Sequence, residues 1–358
     1  MKGRRPRPLD DGDSGRSRVS LIINTAKLIT WQTSCVSIIE NCTASAIKDA
    51  ATSLRVGNLV AFPTETVYGL GADAQSKDAV AKIYQAKGRP VDHPLIVHLS
   101  SIEHLEKWAR DIPDYAIVLA KTFWPGPITL ILPRTELAKD FITGGQDNVG
   151  IRVPSHTVAL ALLQEFEAQD GLGVAAPSAN RFGAVSPTSA DAVRTELDKY
   201  LSDSDLILDG GQCNVGIEST IINCTQSQPT ILRPGGVTKE AVQEALGIKI
   251  NSNNLSTLSN KIKAPGLQDT HYAPNAKVFI TGYPMPGDGF IALASIATPK
   301  GVIRLANPKN NEDYAQILYQ ALRLADSKGL EKVFAIPATG PGVAAAINDR
   351  LGKAAFQG

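Results

Sequence analysis

The sequence is short of net charge, of cysteine and of long apolar runs, and each shortage excludes a class of function. Lysine plus arginine (36) nearly equals aspartate plus glutamate (35), which gives a formal net charge of +1. Overall charge therefore cannot attract nucleic acid, and any anion binding must be local. Four cysteines with no CxxC pair indicate a reducing, cytoplasmic compartment rather than a disulfide framework. No apolar run approaches the ~20 residues that cross a bilayer, so no membrane contact is expected.

Common catalytic signatures are also absent. The sequence contains no GxxxxGK[ST] phosphate loop, GxSxG elbow, HExxH motif or kinase loop set. Its five histidines form no recognisable metal triad, and no metal ligands can be assigned. A phosphoryl or nucleotidyl transfer that depends on positioning and charge needs no protein nucleophile, so these absences leave that chemistry open.

What is present is a regular alternation of helices and strands that predicts two α/β domains. Short strands alternate with amphipathic helices over 43–246, and the strand-rich part at 205–233 predicts a twisted mixed sheet. Within it, "PTETVYGLGADA" is predicted as a glycine-bearing loop. A polar linker is expected over 247–275 and a small Rossmann-like domain over 276–358, without a GxGxxG motif. The composition of 1–42 predicts a disordered N-terminal extension.

Cationic and hydroxyl-bearing residues concentrate near the predicted strand ends of the first domain. In "KGRPVDHPLIVHL", Lys87, Arg89 and His93 precede an apolar strand that contains His98. A cationic group beside a buried strand needs an anionic partner, because an unpaired buried charge is costly. Arg152 interrupts the strand "NVGIRV" and requires either a structural carboxylate or a substrate anion.

Hydroxyl groups accompany these cations in several segments. Such groups, with backbone N–H groups, can bind phosphate oxygens, and further cations lie on adjacent strands. Lys87, Arg89 and Arg233, together with Arg152 and several hydroxyl groups, suit a polyanion with a separate carboxylate. The polar segments contain Thr64, Glu65 and Thr66 in "FPTETVYGLG", Ser178, Asn180 and Ser186 in "PSANRFGAVSPTSA", Ser219 and Thr220 in "GIESTII", and Arg233 in "ILRPG".

These motifs occur in the order expected of the YrdC-like family, and the chain resembles its two-domain threonylcarbamoyl-AMP synthases. The motifs are "FPTETVYGLGADA", "KGRPVDHPLIVHL", "WPGPITLIL", "VGIRVPSH", "PSANRFGAVSPTSA", "GIESTII" and "ILRPG", followed by "APGLQDTHYAPNAKV" and "AINDRLGKAA". The resemblance implies a YrdC-like twisted mixed sheet with a positive cleft and a Rossmann-like C-terminal domain. It also implies a nucleotidyltransferase that uses L-threonine, bicarbonate or carbon dioxide, and ATP with magnesium.

The same resemblance implies a product, partners and site residues. Threonylcarbamoyl-AMP would pass to proteins that modify tRNA next to the anticodon, whereas direct contact with tRNA stays open. The threonine side is similar to Thr66, His98, Arg152, Ala176 and Ser219. The ATP side resembles Lys87, Arg89, His93, Asn148, Ser178, Asn180, Ser186, Arg233 and Tyr272, with Lys87 and Arg89 as the main electrostatic contributors and Tyr272 as part of a lid. The family often has asparagine at the position of His93.

Two other functions compete with this interpretation. A YrdC-like cleft could bind RNA without catalysis, although the near-zero net charge and the lack of an aromatic stacking array argue against it. Hydrogenase-maturation carbamoyltransferases also carry YrdC-like domains. Members of that family have longer chains that carry an acylphosphatase-like module and cysteine-rich zinc motifs. This sequence contains neither feature.

Overall fold

A computed structural model describes residues 38–250, 262–267 and 272–355, and these residues form two α/β domains. Most of the predicted N-terminal extension, at 1–37, lies outside the described residues, as do 251–261 and 268–271 of the predicted linker. Within the described part of the chain, no helix is long and apolar enough to cross a membrane.

Strands rich in isoleucine, leucine and valine build the first domain. In chain order they are β1 Ile38–Asn41, β2 Val60–Phe62, β3 Gly69–Asp73, β4 Ile96–His98, β5 Ile128–Pro133, β6 Asn148–Arg152, β7 Val174–Ala175, β8 Leu206–Asp209, β9 Thr220–Asn223 and β10 Thr230–Arg233. They form one sheet in the order β1-β8-β2-β3-β7-β4-β6-β5-β9-β10. Parallel pairs such as β4 with β6 lie beside antiparallel pairs such as β5 with β6, which confirms the predicted mixed sheet.

Amphipathic helices pack on this sheet, and side-chain caps fix where several of them begin. They are α1 Ala44–Arg55, α2 Lys77–Lys87, α3 Leu105–Trp108, α4 Asp114–Phe123, α5 Asp140–Thr143, α6 Thr157–Ala168, α7 Ala190–Leu197 and α8 Lys239–Leu246. Ser76 caps α2 by accepting a hydrogen bond from the N–H group of Ala79, and Gly88 ends the helix in the left-handed conformation, as the sequence predicts.

Two predictions need correction. The sheet begins before residue 43, because β1 pairs in parallel with β8. A four-residue edge strand carries too short a pattern to be recognised. The loop predicted over "PTETVYGLGADA" is wrong for its second half, which forms β3 and pairs with β2 and β7. Glycine is needed in this strand because a Cβ on Gly71 would lie 2.8 Å from Val174 Cγ1 and 2.9 Å from Phe62 Cε1.

The second domain is a smaller α/β unit with a wholly parallel sheet. Its strands are β11 Lys277–Phe279, β12 Gly289–Ile291, β13 Ile303–Ala306 and β14 Lys332–Ala335, and its helices are α9 Asn311–Ser327 and α10 Ala344–Ala354. The strand order β11-β14-β12-β13, with every pair parallel, agrees with the predicted Rossmann-like pattern.

The two domains share a hydrophobic core. The cluster around the inner face of α9 also contains Val67, Val185 and Ile217 of the first domain. An ion pair at 3.2 Å joins Arg323 on α9 to Glu196 on α7. A Cβ on Gly216 would lie 2.3 Å from Gln316 Cα, so glycine permits the backbones of the two domains to approach closely. The second domain is thus held against the loop that precedes β9.

Candidate active site

A cavity of about 50 Å³ lies among the ends of the central strands of the first domain. It is lined by every residue predicted on the threonine side, by four of those predicted on the ATP side, and by Glu218, Pro265 and Gly266. The lining members of the predicted set are Thr66, His98, Arg152, Ala176 and Ser219, then Arg89, Ser178, Arg233 and Tyr272. The structure therefore brings together groups that lie up to 206 positions apart, from Thr66 to Tyr272.

The turn between β2 and β3 presents Thr66 to the cavity. The hydroxyl group of Thr64 accepts hydrogen bonds from the N–H groups of Thr66 and Val67, each at 3.2 Å. It also donates to the Val67 carbonyl at 2.6 Å, so the turn is closed by its own side chain. The hydroxyl groups of Thr64 and Thr66 are 2.8 Å apart, which fixes the position of Thr66 Oγ1.

Arg152 ends β6 and is almost fully buried at the cavity wall. Its guanidinium group contacts Glu65 Oε1 at 2.6 Å, and it donates to Thr66 Oγ1 at 2.9 Å. The second oxygen of Glu65 accepts from the N–H group of Ser155 at 3.0 Å, so this carboxylate is itself held in place. The structural carboxylate that a mid-strand arginine requires is therefore Glu65. The planar guanidinium group still lines the cavity, where a ligand carboxylate could be bound.

His98 ends β4 and lies beside Arg152, because the two residues are register partners in the parallel pair of β4 and β6. Its imidazole packs edge-on against Phe62, with 6.0 Å between ring centroids. Burial, reinforced by the positive charge of Arg152, lowers the pKa of His98 to about 3. Among the described residues Nδ1 of His98 has no hydrogen-bond partner. His98 is therefore a neutral imidazole at physiological pH, able to hydrogen-bond a ligand but not to act as a cation.

Arg233 ends β10 and reaches the cavity next to Ser219. Its guanidinium group donates to the Ser219 carbonyl at 2.8 Å and to the Pro265 carbonyl at 2.9 Å. Ser219 Oγ lies 2.8 Å from Thr129 Oγ1. Within the described residues Arg233 makes no ion pair, so its positive charge is directed at the cavity without a carboxylate partner. The backbone N–H group of Ala176 donates to the Ile96 carbonyl, and Ala176 also lines the cavity.

Arg89 and Ser178 line the cavity, whereas Lys87 stands behind it. The guanidinium group of Arg89 donates to the Pro94 carbonyl at 2.9 Å, and burial lowers the pKa of Arg89 to about 10, so it stays charged. Nζ of Lys87 donates to the Ser178 carbonyl at 2.6 Å and to the Asn180 carbonyl at 2.5 Å. Burial, followed by the charge of Arg89, lowers the pKa of Lys87 well below its ordinary value. In this conformation Lys87 orders the loop that carries Ser178.

The other residues predicted on the ATP side do not line the cavity. Asn180 donates to the carbonyl groups of Arg181 and Ala184 and is fully buried in the same loop. The imidazole of His93 packs edge-on against Phe182, with 5.3 Å between centroids. Asn148 begins β6 and so lies at the opposite end of that strand from Arg152, about 13 Å away by the rise of a strand. Ser186 contacts the cavity only through Glu218.

The linker and the second domain form the roof of the cavity. Pro265, Gly266 and Tyr272 line it, and the Tyr272 ring is 1 % exposed. This ring stacks on Tyr319 of α9, with centroids 5.7 Å apart. Lys353 of α10 donates from Nζ to the Gly266 carbonyl at 2.7 Å. Tyr272 thus lines the cavity from the linker, and its role as part of a lid stays a prediction.

Glu218 is a cavity residue that sequence reasoning missed. Its Oε1 accepts from Ser186 at 2.7 Å, and its Oε2 accepts from Tyr319 at 2.8 Å and from Arg350 at 2.6 Å. Burial alone would raise the pKa of Glu218, but Arg350 and then Arg233 lower it to about 2. In the sequence, the only sign of Glu218 is an acidic residue within "GIESTII". Its cationic partner Arg350 lies 132 positions further along the chain, so no local pattern shows that the two residues meet.

No group of three or more histidine, cysteine or acidic side chains in the described residues could hold a metal ion. The oxygen atoms of Glu218 already accept hydrogen bonds, and those of Glu65 are similarly engaged. The carboxylates beside the cavity are therefore occupied by protein hydrogen-bond donors.

Comparison with known proteins agrees with this arrangement. The Sua5/YciO/YrdC family model, described as telomere recombination, matches residues 52–235. A second model, described as threonylcarbamoyl-AMP synthase, C-terminal domain, matches 237–356. The chain belongs to the Sua5/YciO/YrdC family.

Relatives extend this similarity over both domains. Threonylcarbamoyl-AMP synthase from Pyrococcus abyssi is 41% identical over 324 residues, which cover 86% of this chain and 93% of that protein. The Bacillus subtilis protein of the same name is 41% identical over 327 residues, covering 86% and 92%. A crystal structure of P. abyssi Sua5 complexed with L-threonine superposes with a TM-score of 0.79 at 39% identity, covering 89% of this chain and 97% of that one. The similarity to these relatives therefore extends over both domains.

Proposed function

We propose that this chain is a threonylcarbamoyl-AMP synthase, which converts L-threonine, bicarbonate or carbon dioxide, and ATP to threonylcarbamoyl-AMP and pyrophosphate. The observation that carries the proposal is one cavity lined by Arg152, which contacts Thr66 and is the register partner of His98, and also by Arg89 and Arg233. Relatives with 41% identity carry this activity as their name. Neither the cavity nor the relatives favour an RNA-binding function over synthesis.

L-Threonine fits the wall that contains Arg152. The substrate carboxylate would accept hydrogen bonds from the guanidinium group of Arg152, while Glu65 holds that group in position. Neutral His98 and the hydroxyl group of Thr66 would bind the remaining polar atoms of the amino acid. Because these groups come from the rigid ends of β4 and β6 and from a closed turn, the substrate is held in one orientation.

ATP fits the side that contains Arg89, Ser178 and Arg233. The threonine nitrogen would first form a carbamate with bicarbonate and release water. One carbamate oxygen would then attack the α-phosphorus of ATP, and pyrophosphate would leave. Arg89 and Arg233 would stabilise the charge that develops on the phosphate oxygens. Magnesium would enter with ATP as part of the substrate and would supply positive charge to the polyphosphate.

The closed roof suits a reaction with water-sensitive intermediates. The cavity of about 50 Å³ is much smaller than a site that encloses a nucleotide, so Pro265, Gly266 and Tyr272 must move outward for ATP to enter. Their return would exclude water from the carbamate and from the mixed anhydride of the product.

The chain would act in the cytoplasm, as its four cysteines predict, and pass its product to tRNA-modifying proteins.

Pyrophosphate release from ATP and magnesium tests this proposal directly. Threonine and bicarbonate are added singly and together, and the adenylate product is followed by mass spectrometry. We expect release only with both, together with one threonylcarbamoyl-AMP for each pyrophosphate. Release without threonine would indicate another acceptor or ATP hydrolysis. No release from folded chain would contradict the proposal and favour RNA binding, which a salt titration with and without ATP would then measure.

A further inference from the structure

The second domain contributes a charge to the wall of the proposed active site. Arg350 lies on α10, is 1 % exposed, and donates from Nε to Glu218 Oε2 at 2.6 Å. Glu218 belongs to the first domain, precedes β9 and lines the cavity. The buried carboxylate is therefore neutralised by an arginine from the other domain, at the place where the proposed function requires a polyanion to bind.

A carboxylate beside a triphosphate site is unfavourable unless another cation neutralises it. Arg233 lines the same cavity and has no carboxylate partner among the described residues. Its charge already contributes to the low pKa of Glu218, after that of Arg350. If Arg350 were absent, Arg233 would be the remaining cation acting on Glu218, so its positive charge would be offset by this carboxylate instead of serving the phosphates.

We propose that Arg350 is a positioning residue for the nucleotide: by neutralising Glu218 it leaves Arg233 available to the phosphates of ATP. This inference rests on the proposed function, since it assigns the polyanion to ATP. Arg350 itself does not contact the substrate. It acts through Glu218, and its Cζ also lies over the Tyr272 ring, 5.1 Å from the centroid, which ties the same residue to the roof.

The groups that face Glu218 come from every element around it. Arg233 comes from β10, Tyr319 from α9, and Arg350 from α10, with Tyr272 stacked on Tyr319. Asp349 of α10 pairs with Nη1 of Arg350, whereas Glu218 contacts its Nε. Tyr319 and Ser186 donate neutral hydrogen bonds, so among these groups only Arg350 and Arg233 supply positive charge to the carboxylate.

The test is a set of charge-matched variants whose affinity for ATP is measured by calorimetry with magnesium. Arg350→Met leaves Glu218 uncompensated, and we expect the Kd for ATP to rise at least tenfold. Glu218→Gln combined with Arg350→Met removes both charges, and we expect a Kd within threefold of wild type. Arg350→Lys keeps the cation and should recover much of the affinity. A structural defect alone would not be corrected by removing a second native group.

The pH dependence provides a second readout. Without Arg350, burial is opposed less strongly, by Arg233 and the hydrogen bond from Ser186, so the pKa of Glu218 should be higher than in wild type and lower pH should favour loss of its charge. The ratio of the Kd of Arg350→Met to that of wild type should therefore fall from pH 8.5 to pH 6. The double variant has no carboxylate at this position, so the ratio of its Kd to that of wild type should stay constant over the same pH range.

Arg323→Met is the matched control, because Arg323 also joins the two domains through a glutamate, but its partner Glu196, unlike Glu218, does not line the cavity. It should leave the Kd for ATP within twofold of wild type.

Wild-type affinity in Arg350→Met, or a double variant as weak as the single one, would overturn the inference. If Arg350→Met does not fold, Glu218→Gln alone decides, since a tenfold loss of affinity there would also overturn it. ATP binding by wild type without product would overturn only the proposed function, whereas no ATP binding would overturn both.

Discussion

At the scale of single residues, Arg152 has two kinds of partner. The carboxylate of Glu65 neutralises its charge, and its guanidinium group also lines the cavity, where a ligand could bind. We expect Arg152→Ala to raise the KM for threonine by about 30-fold, or about 2 kcal/mol, with little change in the KM for ATP. It should also destabilise the chain, because Glu65 would be left buried without its cation. Steady-state kinetics for each substrate and chemical unfolding measure the two effects.

A double variant separates binding from stability. Glu65→Gln with Arg152→Met leaves no buried charge, so it should regain stability but remain defective in threonine use. Arg110→Ala removes an exposed arginine whose side chain is 58% accessible, and should change neither property. An unchanged threonine KM in Arg152→Ala would remove Arg152 from its assigned role.

His98 makes a prediction about stability and pH. Its folded pKa of about 3 is below the ordinary value of 6.5, so the unfolded chain binds more protons between these values. The contribution of His98 to stability is therefore fully present above about pH 6.5 and is lost as the pH falls toward 3. The maximal slope is about 1.4 kcal/mol per pH unit. His98→Gln should show a shallower decrease in unfolding free energy between pH 6.5 and 4.5, and an identical slope would contradict the assigned burial of a neutral imidazole.

Individual site residues could be predicted when they lie in a motif, but not when their role comes from a distant partner. Arg152 was recognised because an arginine within an apolar strand is unusual. Glu218 was not recognised, because its importance depends on Arg350 and Tyr319, which belong to the other domain. Nor can a motif show that Lys87 faces two carbonyl groups rather than the cavity.

At the scale of elements, the helices follow the sequence more closely than the strands do. Caps such as Ser76 and Gly88 mark both ends of α2 locally. By contrast, β1 and β3 are strands because of their pairing. Strand β1 pairs with β8, and β3 pairs with β2 and β7. A short or glycine-rich segment has no hydrophobic period to reveal such pairing.

The segment 262–267 gives a prediction about the roof. Gly266 has a φ of +74°, and a Cβ there would lie 2.2 Å from the hydroxyl oxygen of Tyr272. Gly266→Ala should therefore displace the roof and lower the yield of threonylcarbamoyl-AMP by roughly tenfold or more, because a small misplacement at a closed site is costly. Product formation per ATP consumed is the measurement.

Gly145→Ala is the matched control for Gly266→Ala. Its φ of +79° imposes similar backbone strain, but a Cβ there would have no atom within 4 Å. It should lose about 1 kcal/mol of stability and keep its activity. If both variants lose product equally, backbone strain rather than the contact with Tyr272 is responsible, and the role of the roof is contradicted.

At the scale of the whole molecule, the two domains share a core and a site wall, so they should unfold together. A Cβ on Gly216, which has a φ of +75°, would lie 2.3 Å from Gln316 Cα of α9. Gly216→Ala should therefore force the domains apart. The displacement would occur only two residues from Glu218. Trp108 and Trp124 are buried in the first domain, Trp31 lies outside the described residues, and the second domain contains no tryptophan, so the fluorescence of the buried tryptophans reports on the first domain, while far-ultraviolet circular dichroism reports on both.

In wild type the two signals should follow one urea transition, since coincident probes indicate a single cooperative unit. In Gly216→Ala we expect them to separate, and we expect the KM for ATP to rise, because the contact of Glu218 with Arg350 depends on the same interface. Gly211→Ala has an equivalent φ of +79° and no atom within 4 Å of its Cβ, so it should keep one transition and normal kinetics. Separate transitions in wild type would mean that the second domain folds independently. The Arg350 contact would then be insufficient to couple folding to the site.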